Sequence, residues 1–177
     1  MTPFPGGHGD RAVRHPSRTG SAAGRPPGKA ALEIRGVTET DLPDVLRLDR
    51  EAFPDGPYPY FALRQFHDAL GDHLLVVDDG RALHGYVLAT PPHRAASWIL
   101  SLTVSPALRG NGVGRELMTE MLGRLRAEGA TEVLLTVDPA NDSALTLYRA
   151  LGFAPSGDVL QDYFGPGEPR QRMRLAL

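Results

Sequence analysis

The sequence predicts a mixed α/β domain whose sheet is antiparallel in its first half. Two apolar stretches, residues 74–77 and 83–89, flank Asp78-Asp79-Gly80-Arg81, which is typical of a hairpin with a tight Asp-Gly turn. Beyond residue 98, apolar strands alternate with amphipathic helices, as in domains whose helices pack on a sheet. The predicted elements follow the order β-α-α-β-β-β-α-β-α-β-β.

The first half of the chain shows one strand and two helices before the hairpin. Residues 32–37 alternate apolar and polar side chains, which predicts a strand. Thr40 or Asp41 is predicted to cap a helix that ends at Pro54-Asp55-Gly56-Pro57. A second short helix is predicted over residues 60–70.

Strands and helices alternate in the second half. Residues 98–104 and 132–137 are apolar and β-branched enough to form buried strands. A helix is predicted to begin at Val113, because apolar residues recur from there at helical spacing. Another helix follows residues 138–141 and ends at Gly152. Alternating apolar residues from 173 to 177 predict a last strand.

Length and composition predict one cytoplasmic domain with a tail. The chain has 177 residues, of which 41% are hydrophobic, and this suffices for the core of one domain over residues 31–177. Residues 1–30 are rich in Gly, Pro, Ser, Arg and Ala without apolar periodicity, so we expect a flexible tail there. A formal net charge of −2 offers no basic field for nucleic acid, and no membrane-spanning run or signal peptide is visible. Neither nucleic acid nor a membrane is therefore an expected partner.

The absence of cysteine excludes several chemistries. A chain without Cys has no disulfide, no thiolate metal site and no thiol nucleophile, so any group transfer is expected to be direct. The 6 histidines show none of the tight spacings of metal ligands. No metal is therefore predicted.

A glycine turn joins the strand over residues 98–104 to the following helix. Its sequence is Arg109-Gly110-Asn111-Gly112-Val113-Gly114. Glycines leave backbone N–H groups unobstructed, and the helix N-terminus adds its dipole, so the junction favours a multiply charged anion. Arg109 and Arg115 flank the turn and add positive charge. The spacing matches neither the Gly-x-Gly-x-x-Gly dinucleotide fingerprint nor a P-loop.

Two motifs resemble those of the GCN5-related N-acetyltransferases (GNAT). The glycine turn is similar to motif A of that family, Gln/Arg-x-x-Gly-x-Gly/Ala, which binds the pyrophosphate of acetyl coenzyme A (acetyl-CoA). The segment from Asn141 to Phe153 resembles motif B, with its Asn, its Leu-Tyr pair and its Leu-Gly-Phe ending. The resemblance implies the GNAT fold, a central mixed and mostly antiparallel sheet flanked by helices, with a splay after the fourth strand for acetyl-CoA.

The resemblance also implies roles for individual residues. Tyr148 stands at the family's position for the general acid that protonates the departing coenzyme A thiolate. Alternatively, Tyr148 is an aromatic residue on the buried stripe that it shares with Ala144 and Leu151. The implied cofactor contacts are main-chain groups of Leu102 and Val104 on the pantetheine arm, Arg109, Gly110, Asn111, Gly112, Val113 and Gly114 on the pyrophosphate, and Asn141 on the opposite side of the arm.

Within the family, the chain is most similar to RimI-like and archaeal protein N-terminal acetyltransferases. Phe53-Pro54, the segment from Asn141 to Phe153, and Asp162-Tyr163-Phe164 carry that similarity. RimI-like enzymes carry a Glu, thought to serve as base, in the strand before motif B, whereas Thr136 occupies the matching position here. Other base candidates, each also expected as a solvated or capping residue, are Asp138, Glu51, Asp162 and His84.

The expected acceptor is an amine. An α-amine of pKa about 7.7–8.0 asks less of a base than a lysine of pKa about 10.4, so Thr136 in place of Glu favours a peptide or protein N-terminus. A small amine such as a polyamine or aminoglycoside is the second candidate, and a non-catalytic acyl-CoA-binding sensor is the alternative class. A monomer or homodimer is expected. The residues expected to line the acceptor groove are Tyr58, Tyr60, Tyr163 and Phe164.

Overall fold

The structure, a computed structural model, describes residues 31–177 as a seven-stranded sheet with helices on both faces. The predicted tail, residues 1–30, lies outside the described residues. The strands are β1 (Glu33–Gly36), β2 (Leu74–Asp78), β3 (Leu83–Ala89), β4 (Ala96–Val104), β5 (Glu132–Val137), β6 (Ala154–Pro155) and β7 (Gln171–Ala176), in the spatial order β1-β2-β3-β4-β5-β7-β6. The helices are α1 (Leu42–Ala52), α2 (Tyr60–Leu70), α3 (Val113–Ala127) and α4 (Asp142–Ala150).

The predicted order of elements is confirmed, and the hairpin has the predicted tight turn, one residue further along the chain. Asp78 belongs to β2, and residues 79–82 connect it to β3. The Asp79 N–H donates to the Ala82 carbonyl at 3.3 Å, and Gly80 between them has φ +80°. The Asp79 carboxylate also accepts hydrogen bonds from the N–H groups of Arg81 and Ala82, both at 2.9 Å, and so stabilises the turn.

The start of α1 also differs from the prediction. Asp41 immediately precedes α1 but makes no side-chain hydrogen bond that caps it. Its carboxylate instead accepts hydrogen bonds from the Thr38 N–H and from Arg35, both at 2.7 Å, because a 3-10 turn over Glu39–Asp41 comes before the helix. The hydrogen bond from Arg35 lowers the pKa of Asp41 to about 2. This ion pair ties β1 to the start of α1.

Two apolar clusters cover the two faces of the sheet. On one face, which we call the α3 face, α3 and α4 pack through residues such as Leu117 and Leu145. On the other, which we call the α1 face, α1 and α2 pack through Val45 and Leu63 on β2 and β3. Strands β2 and β3 contribute side chains to both clusters, so they are buried on both faces of the sheet.

The sheet opens between β4 and β5, and we call this gap the fork. β4 and β5 pair in parallel only from Ala96 to Ile99 against Glu132 to Leu135. Beyond that point β4 continues against β3, and β5 continues against β7. The β3–β4 register shifts around Leu100, an extra residue that forms a β-bulge, and bulges bend a strand and increase its twist. The predicted splay after the fourth strand is confirmed.

A buried polar network joins α1, β3 and β4 on the α1 face. Asp49 is fully buried, and its carboxylate accepts hydrogen bonds from the Tyr58 N–H at 2.6 Å and from the Tyr86 hydroxyl. The same hydroxyl lies 2.8 Å from Ser101 Oγ. Burial and the nearby Asp49 charge raise the pKa of Tyr86, so its hydroxyl remains a donor. The network fixes the loop between α1 and α2 to the half of β4 that borders the fork.

Replacement of Tyr86 by Phe should lower the free energy of unfolding by about 1–3 kcal/mol, because the buried Asp49 carboxylate loses a hydrogen-bond donor. Urea unfolding followed by circular dichroism measures the change. Tyr60→Phe is the matched control, because Tyr60 is 46% exposed, and its effect should stay within about 0.5 kcal/mol. Equal stability of Tyr86→Phe and the wild type would contradict the importance of the network.

Candidate active site

The fork leaves one edge of β4 without a neighbouring strand. The Ser105 N–H donates to the His84 carbonyl at 2.7 Å, so alternate residues before Ser105 direct their backbone groups at β3. Leu102 and Val104 lie at the intervening positions, and their N–H and C=O groups consequently point into the fork. An extended ligand that carries amide groups can pair with such an edge as a strand would.

The glycine turn forms a cluster of free backbone N–H groups at the start of α3. Gly110 has φ +76° and Gly112 has φ +86°, a left-handed conformation that glycine adopts readily. The Glu116 N–H donates to the Gly112 carbonyl at 3.0 Å. Within residues 31–177, no backbone carbonyl accepts a hydrogen bond from the N–H groups of Gly110, Gly112, Val113, Gly114 and Arg115. The helix dipole adds positive potential, so the cluster suits a polyanion such as a pyrophosphate.

The turn lies next to the end of β4 and next to α4. A Cβ atom on Gly114 would lie 3.6 Å from Val104 Cγ2 and 3.5 Å from Leu147 Cδ2. Arg109 Nε donates to the Val104 carbonyl at 3.0 Å, and the Asn111 side chain donates to the Arg109 carbonyl at 3.4 Å. The free edge of β4 thus leads directly into the N–H cluster of the turn, and Arg109 links the two.

Asn141 and Tyr148 lie near opposite ends of α4. Asn141 Oδ1 accepts a hydrogen bond from the Ala144 N–H at 3.0 Å and caps the helix. Tyr148 is 8% exposed and packs edge to face on Phe153, with ring centroids 5.9 Å apart. Burial raises the pKa of Tyr148 to about 12, and its hydroxyl makes no hydrogen bond within residues 31–177. The ring therefore packs in the core, as in the alternative prediction, while the hydroxyl remains a protonated donor without an acceptor there.

The four aromatic residues predicted for the acceptor groove are not equivalent. Tyr58 is half-buried and packs edge to face on Phe66, with ring centroids 5.1 Å apart. Tyr60 at the start of α2 is 46% exposed, and in the β6–β7 loop Tyr163 is 40% and Phe164 65% exposed. Three of the four residues thus present aromatic surface to solvent, whereas Tyr58 contributes to packing.

The β6–β7 loop holds its exposed aromatic residues in a defined shape. The Asp162 carboxylate accepts a hydrogen bond from the Gly167 N–H at 2.6 Å. The Arg170 guanidinium lies 4.7 Å from the centre of the Phe164 ring, a cation–π contact. These contacts preorganise the loop, so a ligand that binds it meets a surface that is already ordered.

Thr136 lies on β5 at the first position beyond the pairing with β4. Its partner in the register is Arg172 of β7. The preceding pair, Leu135 and Met173, is buried on the α3 face, so the side chains of Thr136 and Arg172 point to the α1 face. Arg172 was not predicted from the sequence, although the alternation of apolar residues from 173 onward already assigned it to the opposite face.

Each of the other base candidates has a polar partner close to it in the fold. The Asp138 and Asp162 carboxylates accept hydrogen bonds from the N–H groups of Ala140 at 2.8 Å and Gly167 at 2.6 Å. Glu51 pairs with Arg47 at 3.1 Å, and His84 lies 2.9 Å from the Asp79 carboxylate. Such contacts support the interpretation of these side chains as capping or surface-paired residues.

The described part of the chain offers neither a metal cluster nor a membrane span. Within residues 31–177, no three side chains of His, Asp or Glu come together as metal ligands. None of the helices described above is long and apolar enough to cross a bilayer.

Comparison with known proteins adds to this geometry. Residues 40–153, which include the glycine turn and α4, match the family model of the acetyltransferase (GNAT) family. The RimI N-alpha-acetyltransferase of Mycobacterium tuberculosis is 32% identical over 149 residues, which cover 81% of this chain and 91% of that protein. The mycothiol acetyltransferase of Renibacterium salmoninarum is 34% identical over 105 residues, which cover 56% of this chain but only 31% of that longer protein.

The fold is shared with solved structures. The crystal structure of Ard1 from Thermoplasma volcanium superposes with a TM-score of 0.77 at 23% identity, over 83% of this chain and 98% of that one. The family model spans well over half of the chain, and the RimI relative aligns over most of both sequences. The resemblance noted from the two motifs is thus confirmed, and the chain belongs to the acetyltransferase (GNAT) family.

Proposed function

We propose that this acetyltransferase moves the acetyl group of acetyl-CoA directly to the α-amine of a peptide or protein N-terminus, with Tyr148 as general acid. The observation that carries the proposal is the fork, where a free edge of β4 runs into the N–H cluster of the glycine turn. When bound, acetyl-CoA supplies an acyl group already activated as a thioester. The protein has to hold the donor, align the amine and supply a proton to the leaving thiolate.

Binding of the donor is assigned to two parts of the site. Leu102 and Val104 direct backbone donors and acceptors into the fork, where they can pair with the amides of the pantetheine arm. The N–H groups of the turn and the nearby Arg109 and Arg115 supply positive potential for the pyrophosphate. The side-chain amide of Asn141 is oriented by its cap on α4 and is assigned to the opposite side of the arm.

The proton is assigned to Tyr148. Its pKa is raised to about 12 by burial, so the hydroxyl stays protonated near neutral pH. A leaving thiolate whose conjugate acid has a pKa of about 8.5, as in Cys, needs only modest help from an acid. An unbonded hydroxyl in a nearly dry environment can give that help without first breaking a hydrogen bond within residues 31–177.

Two observations favour an α-amine as the acceptor. By the resemblance to RimI-like enzymes, Thr136 stands where those enzymes carry a Glu base, and an α-amine is already roughly a tenth neutral near pH 7, whereas a lysine is not. The exposed rings of Tyr60, Tyr163 and Phe164 provide contact area suited to a peptide. The similarity to the RimI N-alpha-acetyltransferase over most of both chains supports the same acceptor.

A panel of acceptors tests the proposed function. Coenzyme A release is measured with short peptides that have free N-termini, with the same peptides blocked at the N-terminus but carrying a lysine, and with spermidine and an aminoglycoside. We expect turnover on the free N-termini alone. Turnover restricted to the small amines would exclude the peptide acceptor, and binding of acetyl-CoA without turnover on any amine would indicate a sensor instead.

Replacement of Gly112 by Ala should weaken acetyl-CoA binding, because the left-handed backbone at φ +86° is unfavourable for Ala by about 1–2 kcal/mol and the turn will reshape its N–H groups. Isothermal titration calorimetry measures the affinity. Gly129→Ala is a matched control, since Gly129 has φ +91°, also has open space around it and follows the other end of α3. Both variants should lose stability, but only Gly112→Ala should lose affinity; equal affinities would contradict the assignment.

Replacement of Tyr148 by Phe should lower kcat by about 100-fold, the low end of the range for a general acid, while the affinity for acetyl-CoA stays unchanged. The ring and its packing on Phe153 are preserved, so the variant should unfold at the wild-type urea concentration. In the wild type, a tyrosine pKa of about 12 predicts no fall in kcat from ionisation of Tyr148 up to about pH 10. Loss of acetyl-CoA binding, or an unchanged kcat, would contradict the role of general acid.

A further inference from the structure

Arg172 lies beside the fork without a carboxylate partner in residues 31–177. The arginines two residues before and after it are paired: Arg170, just before β7, contacts Glu168 at 2.9 Å, and Arg174 in β7 forms an ion pair with Glu132. Arg172 is half-buried, and its Nε is shielded from solvent and has no hydrogen-bond acceptor within residues 31–177. A buried N–H of a charged group without an acceptor is costly, so an anion that binds this guanidinium would offset that cost.

The residue opposite Arg172 contributes no compensating charge. Thr136 faces the guanidinium across the β5–β7 pair, at the position where a Glu side chain would be close enough to form an ion pair. Arg172 therefore places a positive charge beside the fork on the α1 face, and no carboxylate within residues 31–177 forms an ion pair with it. Such a charge attracts an anionic acceptor and repels a polycation.

The position of Arg172 separates it from the pyrophosphate site. In the parallel register Ile99 pairs with Leu135, so Thr136 and Arg172 lie level with Leu100, at the opening of the fork. The end of β4 at Val104 is four residues further on, roughly 13 Å along the strand, and the glycine turn lies beyond it. Arg172 also points to the α1 face, whereas the turn leads into α3 on the other face.

Building on the proposed transfer to an α-amine, we propose that the acceptor carries a carboxylate close to its amine and that Arg172 binds this carboxylate. A guanidinium offers paired N–H groups that match the two oxygens of a carboxylate. The Asp or Glu side chain of the first or second residue of a peptide supplies such a group, and so does the α-carboxylate of a free amino acid. Arg172 is thus a specificity residue that orients the amine at the fork.

Matched acceptors test the preference. Initial rates of coenzyme A release give kcat/KM for peptides with Asp or Glu at position 1 or 2, for the same peptides with Asn or Gln, and for free aspartate and alanine. We expect the acidic peptides to exceed their amide counterparts by about 10- to 100-fold, the range of a charge-assisted hydrogen bond. Rates that favour the free amino acids instead would assign the carboxylate to a small acceptor.

Variants identify the residue responsible. Arg172→Gln should reduce the ratio between acidic and amide peptides to about 1, and Arg172→Lys should leave an intermediate ratio, because it keeps the charge but loses the paired N–H groups. Arg174→Gln, two residues along the same strand, should leave the ratio unchanged. Thr136→Glu should abolish the preference by pairing with Arg172, whereas Thr136→Gln should retain it.

The outcomes separate this inference from the proposed function. Turnover of amide and acidic peptides at equal rates by the wild type would overturn the role of Arg172 and leave acetyl transfer intact. A preference that survives Arg172→Gln in a folded variant would overturn it as well. If no acceptor is turned over while acetyl-CoA still binds, the proposed function itself fails.

Discussion

The fork between β4 and β5 is the constraint on which the candidate site depends. Backbone groups in a sheet normally satisfy one another, and an unpaired edge in the middle of a sheet persists only where something forces the strands apart. Here the bulge at Leu100 changes the course of β4 just where its pairing with β5 ends. The edge that becomes free carries Leu102 and Val104, and it ends at the N–H cluster of the glycine turn.

Different contacts surround the fork on the two faces of the sheet. On the α3 face, Gly114 of the turn lies beside Val104 at the end of β4 and Leu147 of α4. On the α1 face, the network centred on Asp49 connects the α1–α2 loop to β4 through Tyr86. In the proposed function, the donor and the acceptor approach from different faces, so that both can be bound at the same time.

Local patterns in the sequence explain why so much of the fold was predictable. The start of α3 at the glycines and its apolar spacing are properties of neighbouring residues, as is the end of α4 at Gly152, whose φ is +95°. The error at the start of α1 lies where a side chain has a different partner from the predicted one. The Asp41 carboxylate accepts hydrogen bonds from Arg35 and Thr38 instead of capping α1.

The sequence by itself determined the family, the order of the elements and the chemistry available at the turn, because these follow from contiguous residues. Only the tertiary structure decided which distant residues share the fork. Asp49 and Tyr86 are 37 positions apart yet share a hydrogen bond, and Thr136 meets Arg172 through strand register. Register and burial arise from packing across the whole sheet, so no local pattern reveals that Asp49 is enclosed or that Arg172 lies opposite Thr136 with no carboxylate partner among residues 31–177.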